Sequence, residues 1–372
     1  MLSTRTQDSC GPSGCEVDPL SSATIEIDND TEVLYELSMT DGWGDGLPLI
    51  APTERRVRAM LASTPYHADD VICILPPQDG AATVEAAAVN AVLAGCRPDM
   101  FPLVVAALEA IAVPGFNLYG IATTTSGVHP MLIVNGPCRD RLGIDYQAGC
   151  MGGAAGRGSM TIGRAVSLCL RNIGGQRVGV NSQSVFGQPA RTGLCFGEWE
   201  ERSPWPSLAV QRGFSPDEDV VTVHGGKGTF PMADINTNDA RDLLVQIAQT
   251  ITFPLSNKFL SPTGGNGQLV LALNPMWAER FGREFPDIAD LQQFLWEHCW
   301  RPIDSWPGPN QEILRSKDRV DAQGRVWMCE RPDQLVVIVC GGLGNLHAIC
   351  LPSWADSDLQ SQAALSVAVP AA

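Results

Sequence analysis

Between Thr83 and Gly175 the chain crowds AVNAVLAGC, IVNGP, CMGGAAGRGS and TIGRAVSLCLRNIGG into a single stretch. Glycine allows φ > 0 and lets a backbone approach a ligand, asparagine donates and accepts hydrogen bonds, and cysteine offers a nucleophile or a soft ligand. An apolar core has little use for that mixture, so the region reads as the wall of a small-molecule site. Its segments also alternate between strand and helix patterns, which narrows the fold to the α/β class.

Helices are predicted over TEVLYELSMT, PTERRVRAML, ATVEAAAVNAVLAGC (ended by Gly95), RPDMFPLVVAALEAIA and SMTIGRAVSLCLRNIGG (closed by Gly174 and Gly175), with strands at VICIL, NLYGIATTT and PMLIVNGP. Further on, VVTVHGG, QLVLALNP, RPDQLVVIVCGG and LHAICLP read as strands, and NDARDLLVQIAQTI and DIADLQQFLWEHCW as helices. The expectation is an α/β fold with mixed sheets flanked by helices, in two loosely similar halves, with ligands at the carboxyl edge of a sheet. Residues 1–30 form a flexible Cys-containing arm, 31–215 the half with the Gly/Asn/Cys-rich site, 216–354 a second α/β half, and 355–372 a frayed tail. IVNGP and IVCGG are expected at related places in a loose duplication, and RPIDSWPGPNQEIL as a long surface loop.

With 372 residues, 44% of them hydrophobic, the chain can bury one large core or two moderate ones. A formal charge of -16 without any Lys/Arg run argues against nucleic acid and anionic membranes as partners. No apolar segment approaches the roughly 20 residues of a membrane span, and MLSTRTQDSCGPSGCEVD is too polar for a signal peptide, so a cytoplasmic location is expected. A homo-oligomer is left open.

Twelve cysteines in such a chain imply reduced thiols, most buried as small hydrophobes. Cys73, Cys169, Cys340 and Cys350 lie in apolar runs and read as core, whereas Cys10, Cys15, Cys96, Cys138, Cys150 and Cys195 sit beside Gly, Pro or polar residues where a turn can expose sulfur. In CGPSGC, Cys10 and Cys15 suit thiol transfer, a reversible disulfide or a soft metal ion (Zn, Cu or Hg); the spacing is neither that of thioredoxin-like sites nor that of zinc knuckles. The alternative is an unstructured arm with incidental thiols.

Cys96 falls in a corner between helices, where backbone amides and Arg97 favour a thiolate and hence a nucleophile. Glu85 and Asn90 interrupt an Ala/Val helix; desolvation would push the Glu85 carboxyl toward neutrality and fit it for general acid or base work, unless the two merely brace a neighbouring helix. Asn135 and Gly136 end a strand, and Gly152, Gly153 and their neighbours form a loop before the next helix, so free amides there suit an anion, with Arg157 or Arg164 as a carboxylate clamp. Close packing is the plainer use of those glycines. P-loop, Rossmann, HExxH and GxSxG patterns are missing. His129 and His224 lie near strand ends; of the carboxylates around Trp199, Glu201 reads as solvated and Glu198 stays a candidate.

DGWGDGLPL, AVNAVLAGCRPD, LIVNGP, TIGRA, NIGG and SPW, in this order over about residues 32–350, resemble an uncharacterised bacterial family often found beside small (seleno)proteins with a U/C-G-S-C motif. The matching positions are Asp45, Cys96, Asn135, Gly136, Arg164, Asn172 and Gly174. The resemblance implies redox or sulfur chemistry shared with a small thiol or selenol partner. The expected function is a thiol-dependent enzyme, a lyase or oxidoreductase, that cleaves or reduces a carbon-heteroatom bond of a small carboxylate-bearing substrate. Cys96, Glu85, Asn135 and Arg164 are its catalytic candidates, and Asn90, Gly136, Gly152, Gly153, Arg157, Asn172, His129 and Glu198 its substrate-binding candidates. The alternatives are a soft-metal or metalloid binding protein using Cys10, Cys15 and Cys150, and a non-catalytic subunit of a thiol/selenol redox complex.

Overall fold

Strands such as LVLAL and LVVIV are apolar at every position and need cover on both faces. The chain provides it in four layers, with two sheets face to face and helices on the outer side of each. The computed structural model describes residues 2–3, 20–152, 156–256, 267–353 and 364–371, with 2–3 and 254–256 as backbone only.

The first sheet contains β1 (His129–Asn135), β2 (Leu194–Gly197), β3 (Val220–Gly226) and an edge strand at Leu365–Ala368. β2 runs parallel to β1, while β3 lies antiparallel on the other side of β1. The second sheet contains β4 (Phe230–Ala233), β5 (Leu269–Leu273), β6 (Leu335–Val339) and β7 (His347–Leu351). Here β6 is parallel to β5 and β7 antiparallel on its other side, so the central three strands repeat the first arrangement. Each central strand is followed by helices that return the chain to its parallel neighbour: Arg157–Asn172 in one case, Pro275–Glu284 and Ile288–His298 in the other.

The two-residue period divides the core. Leu132 and Val134 of β1 face helices Val84–Ala94, Phe101–Ala112 and Arg157–Asn172, while Met131 and Ile133 turn inward. In the second half Leu269, Leu271 and Leu273 meet the helices, and Val270 and Ala272 turn inward to the shared layer with Phe196, Val336 and Ile338. Helix Val84–Ala94 is apolar all round because it is buried all round; Thr83 accepts from the Ala86 amide at 3.1 Å at its start, and Gly95 (φ 94°) ends it.

Several segments depart from the sequence reading. LYGIAT is a helix, not a strand, because Asn117 caps it by accepting from the Gly120 amide at 3.2 Å. VICIL is not a buried strand: it pairs only with Gly80–Thr83, leaving Val71 and Ile74 more than half exposed. RPIDSWPGPNQEIL carries strand Trp300–Pro302 and helix Gly308–Ser316, with Pro309 in the first turn, rather than one long loop. Leu365–Ala368 is not frayed; it pairs with β3, and Thr222 and Ser366 hydroxyls meet at 2.7 Å across that pair. The first sheet therefore draws strands from beyond residue 215.

The two sheets share an arrangement of their central three strands, but IVNGP and IVCGG do not hold matching places in it. IVNGP ends the central strand of its sheet, and its counterpart is ALNP, with Asn274 just after β5; IVCGG ends β6 and corresponds to LCFGE at the end of β2. The registers Val134↔Gly197 and Leu273↔Val339 put the pairs Asn135/Glu198 and Asn274/Cys340 one step past equivalent strand ends. The same hydrogen bonds follow: Glu198 N–H to the Val134 carbonyl at 3.1 Å and Cys340 N–H to the Leu273 carbonyl at 3.0 Å.

Candidate functional site: a dithiol cavity at the strand ends

At the carboxyl ends of β5 and β6 lies a cavity of about 600 Å³, bounded by the turn Ala148–Gly152 on one side and by Ala272, Asn274, Cys340–Gly342 and His347 on the other. The turn is tied down where the Gly341 amide donates to the Tyr146 carbonyl at 2.8 Å. Gly341 has φ 91°, a conformation glycine enters without steric cost, and this folds the chain after Cys340 around the cavity rather than onward along the strand. Asn274 is held by accepting from the Trp277 amide at 2.9 Å and donating to the His347 carbonyl.

Cys150 and Cys340 meet in this wall, each 5% exposed, so both are reachable from the cavity and shielded from bulk water. The hydrogen bond from Cys340 draws the Cys150 thiol below its ordinary value; burial opposes this, and the Gly341 amide assists it. The Cys340 thiol is correspondingly pushed well up, first by its bond to Cys150, then by burial and the nearby charges of Cys150 and Glu198. Of the two, Cys150 therefore ionises more readily than Cys340. Cys340, read from its apolar run as core, is buried in the layer between the sheets and also borders the cavity.

Glu198 lies behind Cys340, since the next residue, Trp199, donates its amide to the Val339 carbonyl at 2.6 Å. Its carboxylate is fully buried and accepts from Asn135 Nδ2 at 2.7 Å and the Leu208 amide at 2.8 Å through one oxygen. The other oxygen has no partner among the described residues. Burial pushes the carboxyl up to about 7, against the lowering effect of those two bonds. Asn135 and the Gly136 amide also donate to Glu200 at 2.8 Å each, and Arg139 pairs with Glu200 and Glu201 at 3.4 and 2.7 Å. Glu201, although largely exposed, is therefore half of an ion pair. Gly136 (φ 88°) is required by packing, since a Cβ there would lie 2.2 Å from the Glu218 carbonyl oxygen.

The other candidates lie elsewhere. Cys96 is buried among helices, where desolvation pushes its thiol up to about 12 despite a hydrogen bond from Thr161 and three arginines nearby. That environment opposes the thiolate expected from its corner position. Glu85 is not raised toward neutrality: burial does raise it, but bonds from both hydroxyls and both amides of Ser21 and Ser22 outweigh the penalty and lower it. Asn90 and Asn172 are brought together, joined at 2.8 Å, in a separate cavity of about 250 Å³ beneath Trp43. Arg164 grips Asp45 through two bonds of 2.7 and 2.8 Å, and Arg157 donates to the Gly95 carbonyl, so both guanidiniums bind protein groups. His129 opens the strand that Asn135 closes, about 20 Å away. It bonds Ser167 at 2.8 Å, and burial lowers its imidazole to about 3. Gly152 lines the dithiol cavity, whereas Gly153, Cys10 and Cys15 lie outside the described residues.

Among the described residues no cluster of three or more His, Cys, Asp or Glu could hold a metal ion, and no helix is long and apolar enough to cross a membrane. No family model, curated protein or solved structure matches the chain. The fold and site together define a layered α/β protein with a dithiol cavity at the strand ends of one of its two facing sheets.

Proposed function

We propose that the protein is a thiol-dependent enzyme whose substrate is a small molecule bound in the cavity beside Cys150 and Cys340, with Cys150 as the nucleophile. The observation that carries this reading is the placement of two buried thiols in one cavity wall, where Cys340 lowers the Cys150 thiol below its ordinary value. A soft sulfur nucleophile suits cleavage or reduction of a carbon-heteroatom bond, C–S included. Neither Lys nor Arg is among the described residues lining the cavity, so a substrate carboxylate there would meet glycine backbone and His347 rather than a guanidinium.

Iodoacetamide labelling across a pH series, with each alkylated cysteine mapped, tests the assignment. Cys150 is expected to label first and below the pH at which ordinary thiols react; equal, slow labelling of Cys150 and Cys96 would overturn it. Two converging sulfurs are also donors for a soft metal ion. Stoichiometric Zn, Cu or Hg retention that is lost on Cys150→Ser would favour the binding-protein reading.

A further inference from the structure

We infer that Cys150 and Cys340 are a two-electron thiol/disulfide couple that exchanges with a low-molecular-weight disulfide bound in the cavity. This rests on the proposed role of Cys150 and adds a specific partner for it. Three observations support the step from one reactive thiol to a couple. Both thiols border the same cavity, both belong to the buried cluster between the two sheets, and each sits on a glycine-flanked turn instead of inside a strand or helix. Gly149 and Gly341 allow those turns to adjust as two sulfurs approach bonding distance. A second thiol in the same wall can release the first from its adduct without waiting for a small thiol from solution.

The exchange balances as follows. The Cys150 thiolate, whose proton has passed to solvent, attacks one sulfur of a disulfide RSSR, forming Cys150–SR while the RS–SR bond breaks and RS⁻ leaves. Cys340 gives up its proton and attacks the Cys150 sulfur, forming the Cys150–Cys340 bond and expelling the second RS⁻. RSSR gains two electrons and the cysteine pair loses two; the Cys340 proton and one proton from solvent complete two RSH. The directions of the two thiols' shifts suit this sequence, because the more readily ionised thiol attacks first. Excess small thiol runs the steps in reverse.

The test uses the full chain, reduced and then incubated with oxidised glutathione in graded ratios to reduced glutathione, quenched with acid, alkylated and mapped. The expected result is one new linked peptide pair containing Cys150 and Cys340, with loss of two hydrogens, reversible by dithiothreitol. Cys340→Ser should stop at a lasting glutathione adduct on Cys150, and Cys150→Ser should yield neither adduct nor linkage at Cys340. Should wild-type Cys150 react with iodoacetamide yet keep glutathione without resolving it, the couple is refuted while the thiol reading stands. Should Cys150 react with neither reagent, both fall. Because the linked pair is sought in the wild-type chain, a misfolded variant leaves the result intact.

Discussion

Asn135 donates to Glu198 at 2.7 Å across the ends of two parallel strands, and Asn274 and Cys340 hold the matching positions in the second sheet. One copy of the repeated arrangement thus ends in a buried amide and carboxyl, and the other in an amide and a thiol that borders a cavity. The backbone hydrogen bond from Trp199 to Val339 brings the two copies into contact, so a proton on Glu198 and one on Cys340 share an electrostatic environment.

Glu198 makes stability depend on pH. Its carboxyl titrates near 7 in the folded chain against an ordinary value of 4.5, so the folded state holds a proton that the unfolded state has lost between those values. Its contribution is complete below 4.5 and is lost as pH rises through about 7, by up to about 3 kcal/mol. Urea unfolding at about pH 5 and pH 8 should show that fall, and Glu198→Gln should flatten it. An unchanged slope in the variant would exclude Glu198 as the source.

Cys150 and Cys96 should separate cleanly. A thiol at about 12 holds roughly a thousandth of the thiolate that an ordinary thiol holds at the same pH. Cys96→Ser is therefore expected to retain substrate turnover and glutathione reactivity, and Cys150→Ser to abolish both. Mapped labelling rates and turnover on whichever small substrate is found provide the check.

Glu85 should act as an anchor for the segment before it. Glu85→Ala removes four hydrogen bonds to Ser21 and Ser22 and should cost roughly 1–3 kcal/mol. Because the carboxyl is held below its ordinary 4.5, its contribution is present above that value and is lost as pH falls through the folded value. Faster proteolytic release of the first twenty or so residues, with unchanged helical circular dichroism, is the expected signature.

Phe196 joins the two sheets. It is fully buried in the layer shared with Val270, Ala272, Val336 and Ile338. Phe196→Ala should cost about 3–5 kcal/mol and lower the denaturation midpoint without changing the fold. A loss under about 1 kcal/mol would mean that the layer closes over the gap.

Much of the architecture was legible in local sequence. The apolar runs of β1, β5 and β6, the Thr83 start and Gly95 stop of helix Val84–Ala94, and the glycines after strands all follow from periodicity and capping, which act within one turn or one strand. LYGIAT misled because its β-favouring residues are weaker than the Asn117 cap, and VICIL because an apolar run does not reveal whether both faces will be covered.

The candidate site was legible only in part. Composition singled out Cys150, Asn135 and Gly152, since a Gly/Asn/Cys mixture marks backbone turns and polar burial, while Glu198 was a candidate from the carboxylates around Trp199. Cys340 is core, as its apolar neighbours indicate; only the packing of two facing sheets also sets it in one cavity wall with Cys150. Tertiary structure likewise pairs Arg164 with Asp45 and encloses Cys96 and Glu85. Sequence alone determined most of the central strands and the long helices around them, because those choices are local, but not LYGIAT, RPIDSWPGPNQEIL or Leu365–Ala368. Which thiol ionises most readily depends on desolvation and on groups from distant parts of the chain, which only the folded arrangement brings together.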